Sequence, residues 1–254
     1  MLILLPPSEG KTHPTGSGRL DLEALTFAGE LTPQRERLIA TLEKLGRRPL
    51  KKAIGVMGIS EGQAGDIVLN AGLLDASAGP ASRVYTGVLY DRLGFGTLGK
   101  RASSRAGEHL LIASGLWGLL RPQDQIPYYR LSMKPKLARV GGLAAFWRKP
   151  LEAAMKGSGF DEEGEIILDM RSGSYSTVWK PKQAKLVAVR GFTESGGQRK
   201  VISHMAKAVR GEVARLVLNA PALPTDAEET ADVLEKAGLR VELSETSIDV
   251  IESV

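Results

Sequence analysis

Residues 1–12 read MLILLPPSEGKT. Leu2 to Leu5 is an apolar run closed by two prolines, the pattern of a buried strand that feeds a sterically fixed turn. Gly10-Lys11-Thr12 at the far end invites comparison with a nucleotide-binding P-loop. That motif, G-x-x-x-x-G-K-[ST], needs its first glycine at position 5 and a continuous row of backbone N–H groups to wrap the phosphates. Leu5 stands there instead, and Pro6 and Pro7 have no N–H to donate. Downstream, His13-Pro14-Thr15-Gly16-Ser17-Gly18 breaks any helix that would aim its N-terminus at a phosphate. What survives is a strand whose following turn presents Ser8, Glu9, Lys11 and Thr12.

Further apolar, β-branched runs predict strands at Ala53–Met57, His109–Ser114, Glu165–Met170 and Leu186–Arg190, with a weaker one at Leu239–Leu243. Helical periodicity covers Leu31–Leu45, Trp147–Lys156 and Lys200–Leu218, and Thr225 with Glu228 reads as a capping box for one more helix. Strands and helices interleave irregularly, and the turn-rich stretches Thr12–Leu22 and Leu119–Lys136 are too long for plain doubly wound connections. The expectation is a single α/β domain over residues 1–254, a mixed sheet with surrounding helices. Ala71–Ser82 and Leu93–Arg105, dense in Gly, Ala and Ser, read as surface loops.

The chain has 254 residues and no cysteine, which excludes disulfides, thiolate metal sites and thiol redox chemistry. With no apolar run near the roughly 20 residues of a membrane span and no secretory leader pattern, the expectation is a cytoplasmic protein without membrane contact. Net charge is +5, unevenly spread. Residues 225–254 hold nine acidic side chains against Lys236 and Arg240, a balance of −7 that leaves +12 on residues 1–224. That asymmetry fits a body built for polyanions and a separately solvated acidic helix–strand element at the C-terminus, and equally an ordinary basic protein.

Three clusters carry candidate chemistry. After the strand ending at Ser114, a turn-rich segment delivers Arg121, Asp124, Tyr128 and Arg130, braced by Pro122 and Pro127. A guanidinium fork on such a loop suits phosphate or carboxylate, and a neighbouring aromatic can stack on a base; an Arg–Asp pair pinning the loop is the structural alternative. Glu165 to Asp169 resembles a Walker-B strand, but with no P-loop Asp169 reads as a strand-end carboxylate orienting a nearby Arg or Lys. Ser174 lacks the elbow of a serine hydrolase. On the helix after Lys200, Ile202, Met205, Val209, Val213 and Leu216 share a face, with Lys200, Lys207 and Arg210 nearly opposite: an anion-facing surface or simply a solvated one. His13, His109 and His204 are too dispersed for a metal site, and no cofactor motif is present.

With these clusters in view, the sequence resembles the YaaA peroxide stress family. The residues that carry the resemblance are the first strand into Lys11-Thr12, Tyr85-Thr86-Gly87, Ser114-Gly115-Leu116-Trp117-Gly118 with Leu120-Arg121-Pro122 and Asp124, and Tyr129-Arg130-Leu131 with Met133. Phe146-Trp147, Tyr175, Lys180-Pro181 and Lys207-Ala208-Val209-Arg210-Gly211 continue it. The resemblance implies an α/β fold with a basic cleft, binding to double-stranded or branched DNA through a helix-hairpin-helix element, and limitation of peroxide damage linked to iron. Leu116–Arg121 is a loose fit to a hairpin offering G-h-G amides to phosphate. Without a thiol, haem or flavin motif, protection would be indirect.

Two functional readings stand. In the first, Lys11, Arg121, Arg130, Lys180, Lys207 and Arg210 converge on a cleft and bind DNA phosphates, with Thr12, Ser114 and Tyr128 beside them. In the second, the chain is an enzyme acting on a nucleotide, nucleoside or damaged base, its ligand a phosphate-bearing small molecule. Lys11 is then nucleophile or electrostatic stabiliser, Asp124 acid or base, and Tyr175 joins the catalytic set. A third option is a basic surface that meets an acidic partner, or the chain's own C-terminal segment.

Overall fold

The computed structural model describes residues 1–195, 198–200 and 203–253. Its strands are β1 (Leu2–Leu5), β2 (Ala78–Pro80), β3 (Leu110–Ser114), β4 (Gly118–Leu120), β5 (Gln125–Pro127), β6 (Lys136–Leu137), β7 (Gly141–Gly142), β8 (Ile166–Asp169), β9 (Lys185–Ser195), β10 (Gln198–Lys200), β11 (Arg240–Leu243) and β12 (Ser247–Ser253). The helices are α1 (Ala28–Gly46), α2 (Leu50–Met57), α3 (Gly65–Asn70), α4 (Ala81–Val84), α5 (Val88–Leu93), α6 (Lys100–His109), α7 (Leu143–Met155), α8 (Gly173–Ser176), α9 (Ser203–Asn219) and α10 (Ala227–Lys236).

One sheet, in the order β11-β12-β9-β8-β1-β3-β4, organises the domain, with β10 paired to β9. The five central strands are parallel and the outer pairs, β11 on β12 and β4 on β3, are antiparallel. Every residue of β1 is fully buried, as befits a central strand covered on both faces. The chain leaves β1 for β3 on one side and then crosses to β8 on the other, so β1 lies at the topological switch point. In such sheets ligands bind beyond the carboxyl ends of the strands there.

The strands expected around residues 2–5, 109–114, 165–170, 186–190 and 239–243 and the long helices are all present. The Ala53–Met57 run is not a strand but the end of α2, where Ala53 and Met57, four residues apart, fill one inward face. Leu93–Arg105 is not a plain loop either, since α6 starts at Lys100 and turns the small residues Ala102 and Ala106 inward. The cap of α10 is displaced by one residue. Asp226 accepts from the Glu229 amide at 2.7 Å, and the Thr225 amide returns a bond to the Glu229 carboxylate at 2.8 Å.

The acidic C-terminal segment is integrated rather than separately solvated. β12 pairs with β9 over seven residues and buries Ile248, Val250 and Ile251. Its acids meet cations of the neighbouring strands: Arg190 with Asp249 at 2.6 Å, and Arg199 with Glu242 at 2.5 Å.

Leu116–Arg121 forms a buried hairpin between β3 and β4. The Leu116 and Trp117 amides donate to Ser114 Oγ, so they are not offered outward. Gly118 turns the chain at φ 76°, and a Cβ there would lie 2.9 Å from the Trp147 ring.

Candidate functional site

The turn after β1 is fixed by a short bridge between Lys11 and Tyr85, with the Thr12 amide donating to the Val84 carbonyl at 2.8 Å and the Thr86 amide to Gly10 at 3.2 Å. The bridge sets the partly buried Lys11 side chain inside an aromatic shell. Its ammonium lies 4.5 Å from the Tyr129 ring centre and 5.5 Å from that of Tyr85, and donates to the Ser8 carbonyl at 2.8 Å. Beneath it runs a buried chain of hydroxyls: Tyr85 to Tyr129 at 2.6 Å, and Tyr129 to Ser114 Oγ at 2.8 Å. Tyr90 stacks on Tyr85 and donates to the Pro6 carbonyl at 2.8 Å.

Desolvation dominates the protonation of this centre. Burial lowers Lys11 from 10.5 to about 8, against a partial restoring pull from Glu9. Burial likewise raises Tyr85 to about 12 and pushes Tyr90, Tyr129 and Tyr175 upward; the neighbouring Tyr85 and Glu9 contribute to the Tyr175 shift. The phenols therefore stay neutral hydrogen-bonding groups near neutral pH, while the lysine reaches its free amine under mild conditions.

The rim is built by α3. Asp66 accepts from the Tyr128 hydroxyl at 2.8 Å and lies 4.0 Å from Arg130, whose guanidinium pairs with Glu9 at 3.1 Å. Asn70 clamps the Arg130 backbone from both sides, accepting from its amide at 2.9 Å and donating to its carbonyl at 2.7 Å. His13 stacks on Tyr128 with ring centres 4.0 Å apart. All five tyrosines of the chain, 85, 90, 128, 129 and 175, thus belong to one neighbourhood.

Of the expected residues, Lys11, Ser114, Tyr128, Arg130 and Tyr175 meet here, with Thr12 exposed at the edge. Arg121 does not join them. It donates to the carbonyls of Gly107 and Glu108, just before β3, at the opposite end of the sheet from Lys11. Asp124 is buried and accepts from the Thr26 hydroxyl at 3.0 Å and the Arg121 amide at 2.9 Å; desolvation raises its carboxyl and these bonds counter only part of that rise. Its geometry pins a loop.

Arg210 lies by Asp169 and donates to the Val189 carbonyl at 3.4 Å, while Lys180 and Lys207 are exposed. Of the six cations, Arg121 is therefore the one held away from Lys11 and Arg130. Asp169 behaves as expected of a strand-end carboxylate, holding Arg171 through two bonds of 2.8 and 2.9 Å. On α9, Val209 and Val213 face inward and Leu216 is partly buried, while Ile202 lies outside the described residues.

Sequence reasoning missed a separate cationic feature. An open cavity of about 710 Å³ between α1, α2 and β6 is lined by Arg37, Lys44, Arg48, Lys136 and Arg139, with Leu45, Val56 and Leu137 at its floor. Among the described residues, none of these five cations has a carboxylate within 4 Å. Beside it, α2 ends on Gly58 at φ 62° and turns through Ile59 and Ser60 toward α3, leaving Gly58, Ser60, Glu61 and Gly62 exposed. Lys44 and Arg48 belong to a basic run, residues 44–52, that holds five cations and no acid and could have signalled the feature, whereas Arg37, Lys136 and Arg139 join it only through the fold. Among the described residues no group of three or more His, Asp or Glu could hold a metal ion, and no helix is long and apolar enough to cross a membrane.

A family model described as peroxide stress protein YaaA matches residues 1–242. The chain belongs to the YaaA peroxide stress protein family. A UPF0246 protein of Streptomyces coelicolor is 40% identical over 95% of this chain and 92% of its own length. One from Corynebacterium efficiens is 41% identical over 96% of each. An uncharacterized protein of Campylobacter jejuni shares 31% over 83% of this chain and 82% of its own. The YaaA match spans both the tyrosine-lined lysine and the cationic cavity.

Proposed function

We propose that this YaaA-family chain acts in peroxide stress as a DNA-binding protein, in double-stranded or branched DNA contexts, and that α2, the Gly58–Ser60 turn and α3 serve as its helix-hairpin-helix element. The observation that carries the reading is the cavity in which five cations stand together without a neutralising carboxylate. Like charges held this close repel unless an external anion joins them, and a row of phosphates is the ligand that relieves that repulsion by releasing its counterions. The exposed Arg47, Lys51 and Lys52 extend the same surface along the start of α2. Protection by binding requires no redox centre in the chain.

The test is salt-dependent affinity for duplex and four-way-junction DNA. Four to five phosphates engaged by the cavity give a slope of log affinity against log salt of about −4. Arg48→Glu and Lys136→Glu should each weaken binding and flatten that slope by about one. Affinity that is insensitive to salt, or unchanged in the double charge-reversal variant, removes the reading. A second reading, chemistry on a nucleotide or damaged base, is favoured by the desolvated Lys11 amine.

A further inference from the structure

Helix α3, assigned above to the DNA-binding element, also builds the rim of the Lys11 centre. Its Asp66 and Asn70 hold Tyr128 and Arg130, Arg130 holds Glu9, and Glu9 stands two residues from Lys11. DNA docked on the α2–α3 turn would therefore pass beside the Lys11 centre, an inference that rests on the DNA-binding reading above. Lys11 is not neutralised as a structural lysine would be. Among the described residues no carboxylate comes within 4 Å of its nitrogen, the nearby Glu9 being taken by Arg130. An amine in aromatic surroundings, oriented by one hydrogen bond, is the arrangement of a carbonyl-capturing nucleophile.

An intact DNA strand contains no aldehyde. Loss of a base creates one, because the exposed sugar opens to a C1′ aldehyde, and oxidative damage is a source of such lesions. We propose that Lys11 condenses with the C1′ aldehyde of an abasic nucleotide, and that Glu9 then removes a C2′ proton so that the strand is cut on the 3′ side. In the first step the free amine adds to C1′, a C–N bond forms, and the aldehyde oxygen, taking one hydrogen from the nitrogen and one proton from solvent, leaves as water to give the iminium. In the second, the C2′–H electron pair becomes the C2′–C3′ double bond while the C3′–O bond breaks and the phosphate departs. Water then hydrolyses the imine, returning the lysine and releasing an unsaturated aldehyde end. No oxidant, reductant or metal enters the balance. The stacked His13 and Tyr128 offer a flat surface at the rim for a neighbouring base.

The experiment incubates the full chain with a duplex carrying one abasic site, in the presence of sodium cyanoborohydride, and measures binding to the same duplex with an intact base in parallel. The expected result is a covalent adduct formed only with the abasic duplex, mapped to Lys11 by peptide mass spectrometry and absent in Lys11→Met. Without reductant, strand cutting should fall at least about ten-fold in Glu9→Gln while its adduct yield persists. Mapping on the unsubstituted chain keeps the test independent of whether any variant folds. An adduct at other lysines, or none under conditions where the intact duplex binds, overturns the Lys11 proposal alone. Failure to bind either duplex overturns the DNA reading with it.

Discussion

A lysine held in a tyrosine shell should weaken the fold while it is protonated, and Lys11→Met makes that measurable. Its pKa is lowered from 10.5 to about 8 by burial. A group whose folded pKa lies below its unfolded value opposes folding below both values, and the opposition fades as pH rises from the folded toward the unfolded pKa. Worked through the linkage relation, protonated Lys11 destabilises the fold by at most about 3 kcal/mol at pH 7, about 2 at pH 9 and less than 1 near pH 10.5. Contact with water and the bond to Ser8 reduce the realised effect to on the order of 2 kcal/mol at neutral pH. Methionine has similar length and no charge. The variant should therefore be more stable than the parent at pH 7, with the gap closing by pH 10.5. Urea denaturation of both proteins at four pH values reads the difference directly, and the tyrosines, common to both, cancel. A gap that stays constant from pH 7 to 10.5 would refute the desolvated amine and with it the chemistry assigned to Lys11.

Gly118→Ala should cost about 3 kcal/mol or more in urea denaturation, because it combines a left-handed backbone with a Cβ 2.9 Å from the Trp147 ring, and neither the β3–β4 turn nor the fully buried indole can yield. Tyr129→Phe removes the middle of the hydroxyl chain and strands the Tyr85 hydroxyl, for a loss of about 1–2 kcal/mol. If Tyr129→Phe is neutral, the chain of hydroxyls is not what holds the floor of the Lys11 site together.

The fold was legible wherever one strand or helix face is apolar throughout. Leu2–Leu5, closed by Pro6 and Pro7, and Leu110–Ser114, closed by Gly115, are apolar runs bounded by turn residues that read as buried strands, and α1 shows its period plainly. Legibility failed where short apolar runs are read without their partners. Ile54 and Val56 are β-branched and the run is apolar in sequence, but the spacing of Ala53 and Met57 suits a helix face just as well, and only packing decides. The site divided along the same line. Lys11 and Arg130 were visible because they flank strand-end turns, whereas Asp66, Asn70 and Tyr85 act through partners 44 to 62 residues away, a distance that no local pattern encodes. Arg121 and Asp124 share a local motif with the site's residues yet face the other end of the sheet, because β4 runs antiparallel and carries the chain back.

The charge asymmetry of the sequence has a spatial meaning different from a basic body with an acidic tail. Two of the tail's nine acids, Glu242 and Asp249, lie against Arg199 and Arg190 of the neighbouring strands, at the edge of the sheet. At the carboxyl ends of the central strands, Arg130 is offset by Glu9 and Asp66, and Arg171 by Asp169. Among the described residues, Arg37, Lys44, Arg48, Lys136 and Arg139 are cations with no carboxylate within 4 Å that share one cavity between α1, α2 and β6. Under the DNA-binding reading, that cavity is the surface a polyanion engages, and the Lys11 centre is not part of its lining. The centre itself is nearly neutral, which is what a desolvated amine requires, since a concentrated positive field would be relieved by bound anions and water that undo the desolvation. Asp66 and Asn70 of α3 hold Tyr128 and Arg130 in this balance, so the near-neutrality of the centre depends on a short helix outside the central sheet.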